Sequence, residues 1–125
     1  MLALARKHGL WIVADEIYAR FNWKGGERSP SFRDVMDPED RIVFVNTFSK
    51  NWAMTGWRIG WIEAHPSLGQ AIENLIQYST SGVAVFMQRA GIAALDKGEN
   101  FVKHMIERSR KGREITMNVL GKSNR

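Results

Sequence analysis

Two kinds of apolar pattern alternate along this chain: short unbroken runs in its first half and helix-spaced positions in its second. Leu10 to Ala14 and Arg41 to Asn46 are continuous apolar segments, the pattern of strands buried on both faces of an α/β sheet. Met1 to His8 has helical composition and stops at Gly9, a residue suited to a helix end. Nothing precedes that segment to cap it, so the pattern predicts a chain that begins inside an element. Phe21 to Pro30, with Gly25-Gly26, reads as a loop, and Ser31 to Met36 as one or two helical turns.

The link of roughly two dozen residues between the first two strands is long enough for a parallel crossover. Trp57 to Ile62 forms a third strand after only ten residues, 47 to 56, too few for a crossover, so it is predicted antiparallel to the second. That arrangement puts the intervening loop at the carboxyl end of the second strand, where open α/β sheets bind ligands.

Pro66 suits a helix start, and Leu68, Ile72, Leu75 and Ile76 give that helix one apolar face. Ser79 to Gly82 breaks it. Val83 to Leu95 is apolar almost all round, which predicts a buried or interface helix ended by Lys97-Gly98. Glu99 to Leu120 is a long amphipathic segment with Phe101, Met105, Ile115 and Val119 on or near one stripe. Gly112 interrupts it at a cost of about 1 kcal/mol relative to alanine, so a bend is expected there.

Composition narrows the class. With 44% hydrophobic and 25% charged residues, the chain has an ordinary globular balance, and no segment reads as a membrane span or a secretory signal. Cysteine is absent, which removes disulfides and thiolate zinc sites and agrees with a cytoplasmic setting. The net charge of +5 arises entirely in the last segment, where residues 103–125 hold seven Lys/Arg against Glu107 and Glu114. Scattered at helical spacing, these basic residues read as a solvated helix face, and no nucleic-acid partner is expected. His8, His65 and His104 show no metal-ligand spacing and suit surface or capping roles.

The candidate chemistry lies between residues 47 and 58. Thr47-Phe48-Ser49-Lys50 is followed by Gly56-Trp57-Arg58-Ile59-Gly60, and Ala14-Asp15-Glu16-Ile17-Tyr18 lies upstream. This set resembles the class I/II aminotransferases, the fold type I family that uses pyridoxal 5'-phosphate. Thr47 stands where the family more often has serine; the hydroxyl is retained.

The resemblance implies a mostly parallel α/β sheet with one antiparallel strand and flanking helices, part of a large cofactor-binding domain. Residues 1–98 would belong to that domain, and 99–125 to a long helix leading toward a small domain. It implies that Lys50 forms a Schiff base with the cofactor and then shuttles a proton. Asp15 would pair with the pyridine nitrogen and Tyr18 with the phenolic oxygen; Arg58, Thr47 and Ser49 would hold the phosphate. The reactions implied are transamination between an amino acid and a 2-oxo acid or, on the same scaffold, C–S lyase or synthase chemistry. An aminotransferase-like sensing domain of a transcription regulator is a further alternative.

Plainer roles stay open for several of these residues. Asp15 can cap a turn, Tyr18 can pack on the sheet, and Arg58 can pair with a carboxylate at the sheet edge. Trp52, Trp57 and Trp61 read as a packing cluster, and Ser79 to Gly82 as an ordinary loop or an approach to a neighbouring subunit in a family-like homodimer. The phosphate cup, the ring-stacking aromatic and the substrate-carboxylate arginine of the family have no counterpart here. The expectation is therefore a fragment that folds poorly alone and transaminates inefficiently.

Overall fold

Helix α1 (Leu2–His8) opens the computed structural model, which describes residues 1–121. Gly9 ends it at φ +62°, and the Leu10 N–H reaches back to the Ala5 carbonyl at 2.9 Å. Three strands come next, β1 (Ile12–Asp15), β2 (Ile42–Thr47) and β3 (Gly60–Ala64), with a one-turn helix, α2 (Phe48–Asn51), between the last two. The strands lie in the order β1-β2-β3, with β1 parallel to β2 and β3 antiparallel to it. The chain has the α/β class that its pattern predicts, including the reversal enforced by the short second link.

Alternation along the strands puts the core on one face of the sheet. Ala14, Ile42 and Phe44 are buried there, under Leu2 of α1, Ile12, and the Phe32 and Met36 side chains of the crossover. Full burial of a side chain such as Phe44 contributes about 1.5–3 kcal/mol. The crossover holds one 3₁₀ turn, Phe32–Asp34, where the Ser31 hydroxyl accepts the Arg33 N–H at 3.1 Å and the Asp34 carboxylate accepts the Ser31 N–H at 3.0 Å. Arg6 pins α1 to the approach to β2, donating to both carboxylate oxygens of Asp40 at 2.7 and 2.6 Å.

The opposite face departs from expectation. Val13 is 69% exposed and Ile62 52%, so β1 is not covered on both sides among the described residues. Strand β3 also starts later than its apolar run, at Gly60. Trp57 instead closes a 3₁₀ turn, and Arg58 takes a left-handed backbone at φ +50°. A Cβ at Gly60 would stand 2.5 Å from the Asn46 carbonyl oxygen, which explains why the strand begins on a residue without one.

A 3₁₀ turn, Pro66–Leu68, leads into α3 (Gly69–Ser79), followed by α4 (Val85–Lys97) and α5 (Glu99–Leu120). His65 caps the turn through Nδ1, which accepts the Ser67 N–H at 3.2 Å; His8 and His104 are exposed. Of the two roles expected for helix α4, buried or interface, burial is not met within this chain, since Val85, Phe86, Ile92 and Leu95 are all exposed. Its one buried residue, Gly91, lies against the Phe48 ring and Ile59. Helix α5 runs unbroken through Gly112. Arg110 on it pairs with Glu107 and Glu114, and Lys111 with Glu107, as a solvated charged face does; Lys122 and Arg125 lie outside the described residues. No helix among the described residues is long and apolar enough to cross a membrane.

Candidate functional site

Thr47 ends β2 and caps α2. Its backbone stays extended, and its side chain accepts the Ser49 N–H at 3.1 Å, the usual way a threonine satisfies a first-turn donor. Lys50 therefore sits on a helical turn at the carboxyl end of β2, and not on the irregular loop the sequence predicts. Phe48 anchors that turn: it is buried, with ring centroids 5.1 Å from both Trp52 and Trp61. Trp57 stands apart from this cluster and is 42% exposed, so only two of the three expected tryptophans pack together.

Asp15 is the last residue of β1, in register with Val45. One of its oxygens, Oδ1, accepts the Ile17 N–H at 3.2 Å, so it does cap a turn. Its other oxygen has no protein partner among the described residues. That turn delivers Tyr18, whose ring centroid lies 5.6 Å from Lys50 Nζ. An ammonium over an aromatic face is an attractive arrangement. Lys50 has no carboxylate partner among the described residues.

Lys50, Ser49 and Tyr18 line an open cavity of about 580 Å³ together with Phe21, Trp23 and Met105. Asp15 borders an adjoining cleft with Glu16 and Pro30, and Tyr18 belongs to both. Thr47 lies behind the cavity, its hydroxyl donating to the Ile59 carbonyl at 3.3 Å. Arg58 is exposed at the far end of the turn between α2 and β3, its Nη1 donating to the Thr55 carbonyl at 3.1 Å. Its remaining donors have no protein partner among the described residues. Arg58 and Ala53, at φ +50° and +51°, hold left-handed conformations that cost about 1–3 kcal/mol each for non-glycine residues and recur where a site imposes its own geometry.

The structure thus brings Lys50, Ser49 and Tyr18 onto one cavity, sets Asp15 beside it and leaves Thr47 and Arg58 flanking it. Phe21, Trp23 and Met105 are cavity residues that the sequence pattern does not single out. Phe21 stacks edge-on to both Tyr18 and Trp23, with centroids 6.1 and 6.2 Å apart. Three aromatic residues within six positions are the available signal. Met105 gives none, because its place on the apolar stripe of α5 looks the same whether it faces core or cavity.

A profile of the family described as aminotransferase class I and II matches residues 1–123. The arginine–pyruvate transaminase of Pseudomonas aeruginosa is 33% identical over 120 residues, covering 96% of this chain and 30% of that protein. The aspartate aminotransferase of Thermotoga maritima has a crystal structure that overlays 97% of this chain on 31% of its own length, with a TM-score of 0.87 and 28% identity. The aromatic aminotransferase of Pyrococcus horikoshii overlays the same share of this chain on 33% of its own, with a TM-score of 0.88 and 26% identity. The chain spans about a third of the length of these relatives. Within that span, sequence and fold agree that the chain belongs to the class I and II aminotransferases.

Proposed function

We propose that the protein carrying this chain transfers amino groups between an amino acid and a 2-oxo acid with pyridoxal 5'-phosphate as cofactor. The observation that carries this reading is the Lys50 amine, poised over the Tyr18 ring at the carboxyl end of β2 and facing a cavity. Relatives named as arginine–pyruvate, aspartate and LL-diaminopimelate aminotransferases support it.

The side chains supply a group for each part of the cofactor: an amine for the aldehyde, a phenol for the ring oxygen, a carboxylate with an open oxygen on the adjoining cleft for the pyridine nitrogen, and, outside both clefts, a guanidinium with open donors for the phosphate. When bound, the cofactor supplies the electron sink that stabilises negative charge at the substrate α-carbon. Lys50 would anchor it covalently and, once released, carry the proton at that carbon, a task for an amine whose neutral form is accessible. Asp15 would keep the pyridine nitrogen protonated, and Tyr18 would donate to the phenolic oxygen. Arg58 would grip the phosphate with charge-assisted bonds, assisted by Ser49 and by Thr47 once its hydroxyl turns from the Ile59 carbonyl.

With this reading go a division into a cofactor-binding part, 1–98, and a helix toward a small domain, 99–125, together with a homodimeric, cytoplasmic enzyme. Arg20, two residues after Tyr18, pairs with Glu99 on the first turn of α5 at 2.7 Å, a contact that supports coupling between the two proposed parts. The assignment is tested by adding pyridoxal phosphate, reducing with borohydride and locating the modified peptide by mass. Label on Lys50 is expected; label on another lysine, or none, overturns it.

A further inference from the structure

Arg33, in the 3₁₀ turn of the crossover, touches all three strands. Its Nη1 donates to Glu63 Oε2 on β3 at 2.6 Å. Its Nε lies 3.7 Å from Glu16 Oε2, one residue past β1, and its guanidinium carbon rests 4.0 Å from the centroid of the Phe44 ring on β2. Glu16 also accepts the hydroxyl of Ser31. The two anchors of Glu16 thus come from one capped turn.

The placement follows from strand alternation. Ala14 pairs with Phe44, and Phe44 with Glu63, so Glu16, two residues after Ala14, extends the same face. Asp15 lies between them and belongs to the opposite face. The clamp therefore backs the strand end that carries Asp15 forward. Past Asp15 the pairing of β1 with β2 continues through one bond, from the Glu16 N–H to the Val45 carbonyl at 3.0 Å, so the Glu16 side chain is well placed to steady that end. The Glu16 side chain is 16% exposed, where a charged pair is less screened than on an open surface.

We infer that Arg33 is a positioning residue: acting through Glu16, it fixes the end of β1 and so holds Asp15 and Tyr18 in place for the cofactor. The inference rests on the cofactor assignment of those two residues. Removing the guanidinium gives up its contacts with Phe44 and Glu63 but keeps the Ala14, Ile42 and Phe44 core, and it frees the Glu16 side chain from β3, so the loss falls on cofactor geometry more than on folding.

The test compares wild-type protein with Arg33→Gln, Arg33→Lys and Ser31→Ala, using Glu107→Gln on α5 as a remote control. Three quantities are read: the dissociation constant of pyridoxal phosphate by absorbance titration, the absorption maximum of the bound cofactor, and the unfolding midpoint without cofactor. Arg33→Gln is expected to weaken cofactor binding about five-fold, the scale of one ordinary hydrogen bond because the effect is transmitted through Glu16, and to shift the absorption maximum while the cofactor-free midpoint changes less than the affinity. Arg33→Lys recovers part of the affinity, since one point charge replaces a fork. Ser31→Ala, which deletes one anchor of Glu16 together with the cap on the Arg33 N–H, shifts the same readouts by less, and it carries the test if Arg33→Gln does not fold. Wild-type affinity and spectrum in both Arg33→Gln and Ser31→Ala, with Lys50 labelled normally, overturn the inference and leave the cofactor assignment standing. Absence of Lys50 label in the wild-type protein removes both.

Discussion

Lys50 Nζ stands 5.6 Å from the centroid of the Tyr18 ring, joining the turn after β2 to the turn after β1. The two residues meet because β1 and β2 are adjacent and parallel, so their carboxyl ends open on the same side. The contact separates two contributions of Tyr18, the ring face toward the amine and the hydroxyl proposed to meet the cofactor's phenolic oxygen. Tyr18→Phe keeps the first and deletes the second. We expect about a five-fold loss of pyridoxal phosphate affinity, the scale of one hydrogen bond. Tyr18→Ala should lose a further few-fold with the ring face. Tyr18 is half exposed, so cofactor-free stability should stay within about 0.5 kcal/mol in both variants. Absorbance titration and urea denaturation check the two expectations separately.

Asp40 predicts an acid limb in the stability profile. The hydrogen bonds donated by Arg6, with that of the Asp37 N–H, hold its pKa at about 2, below the 3.8 of an ordinary aspartate. The folded state thus favours the ionised form. The contribution is fully present above about pH 4 and is lost as the pH falls through about 2. Asp34, held at about 2 chiefly by hydrogen bonding from Arg28, adds to the same window. Asp40→Asn should lower the unfolding midpoint at neutral pH and flatten the fall between pH 4 and pH 2. A variant with the wild-type slope in that window contradicts the assignment.

Gly60 predicts a steric limit. An alanine Cβ there would meet the Asn46 carbonyl at 2.5 Å and Thr47 Cα at 3.3 Å, both backbone atoms that cannot turn aside. Gly60→Ala should destabilise the chain by about 1–3 kcal/mol through forced separation of β2 and β3. Gly56→Ala, whose Cβ would meet nothing within 4 Å, provides the comparison in the same denaturation experiment.

Val102 tests how firmly α5 is seated. It is completely buried, so Val102→Ala should cost about 1–3 kcal/mol. Val119 on the same helix is 66% exposed, and Val119→Ala should fall within about 0.5 kcal/mol of wild type. Equal effects in thermal melts would show that α5 does not dock where Val102 places it.

What can be read from the sequence is what short-range physics decides. Gly9 ends α1, the apolar run from Ile42 locates β2, and ten residues before the next strand are too few for anything but a reversal. Neighbourhood explains the misses. Lys50 reads as a loop residue because a four-residue helix has no period to detect, although Thr47 before Ser49 carries a capping signal. Trp57 and Arg58 continue an apolar run but leave the strand, because the left-handed turn at Arg58 is set by how α2 and β3 meet. The apolar positions of α4 and β1 indicate surfaces suited to burial, and such a pattern does not say whether a cover lies within the same chain. In the candidate site, Lys50 and Tyr18 are placed together by topology, whereas the Arg33 contacts with Glu16 and Glu63 join residues 17 and 30 positions apart and leave no periodic trace.

The aromatic cluster under α2 gives the chain an optical reporter. Trp52 lies two residues beyond Lys50, and its ring centroid is 6.5 Å from that of Trp61 on β3. Indoles this close exchange excitation readily, so the polarisation of the emission from this part of the molecule depends on the spacing and orientation of two rings. One ring moves with the turn that holds the lysine and the other with the strand behind it. A shift of that turn on ligand binding changes the light the protein emits, and events at Lys50 become measurable without a label.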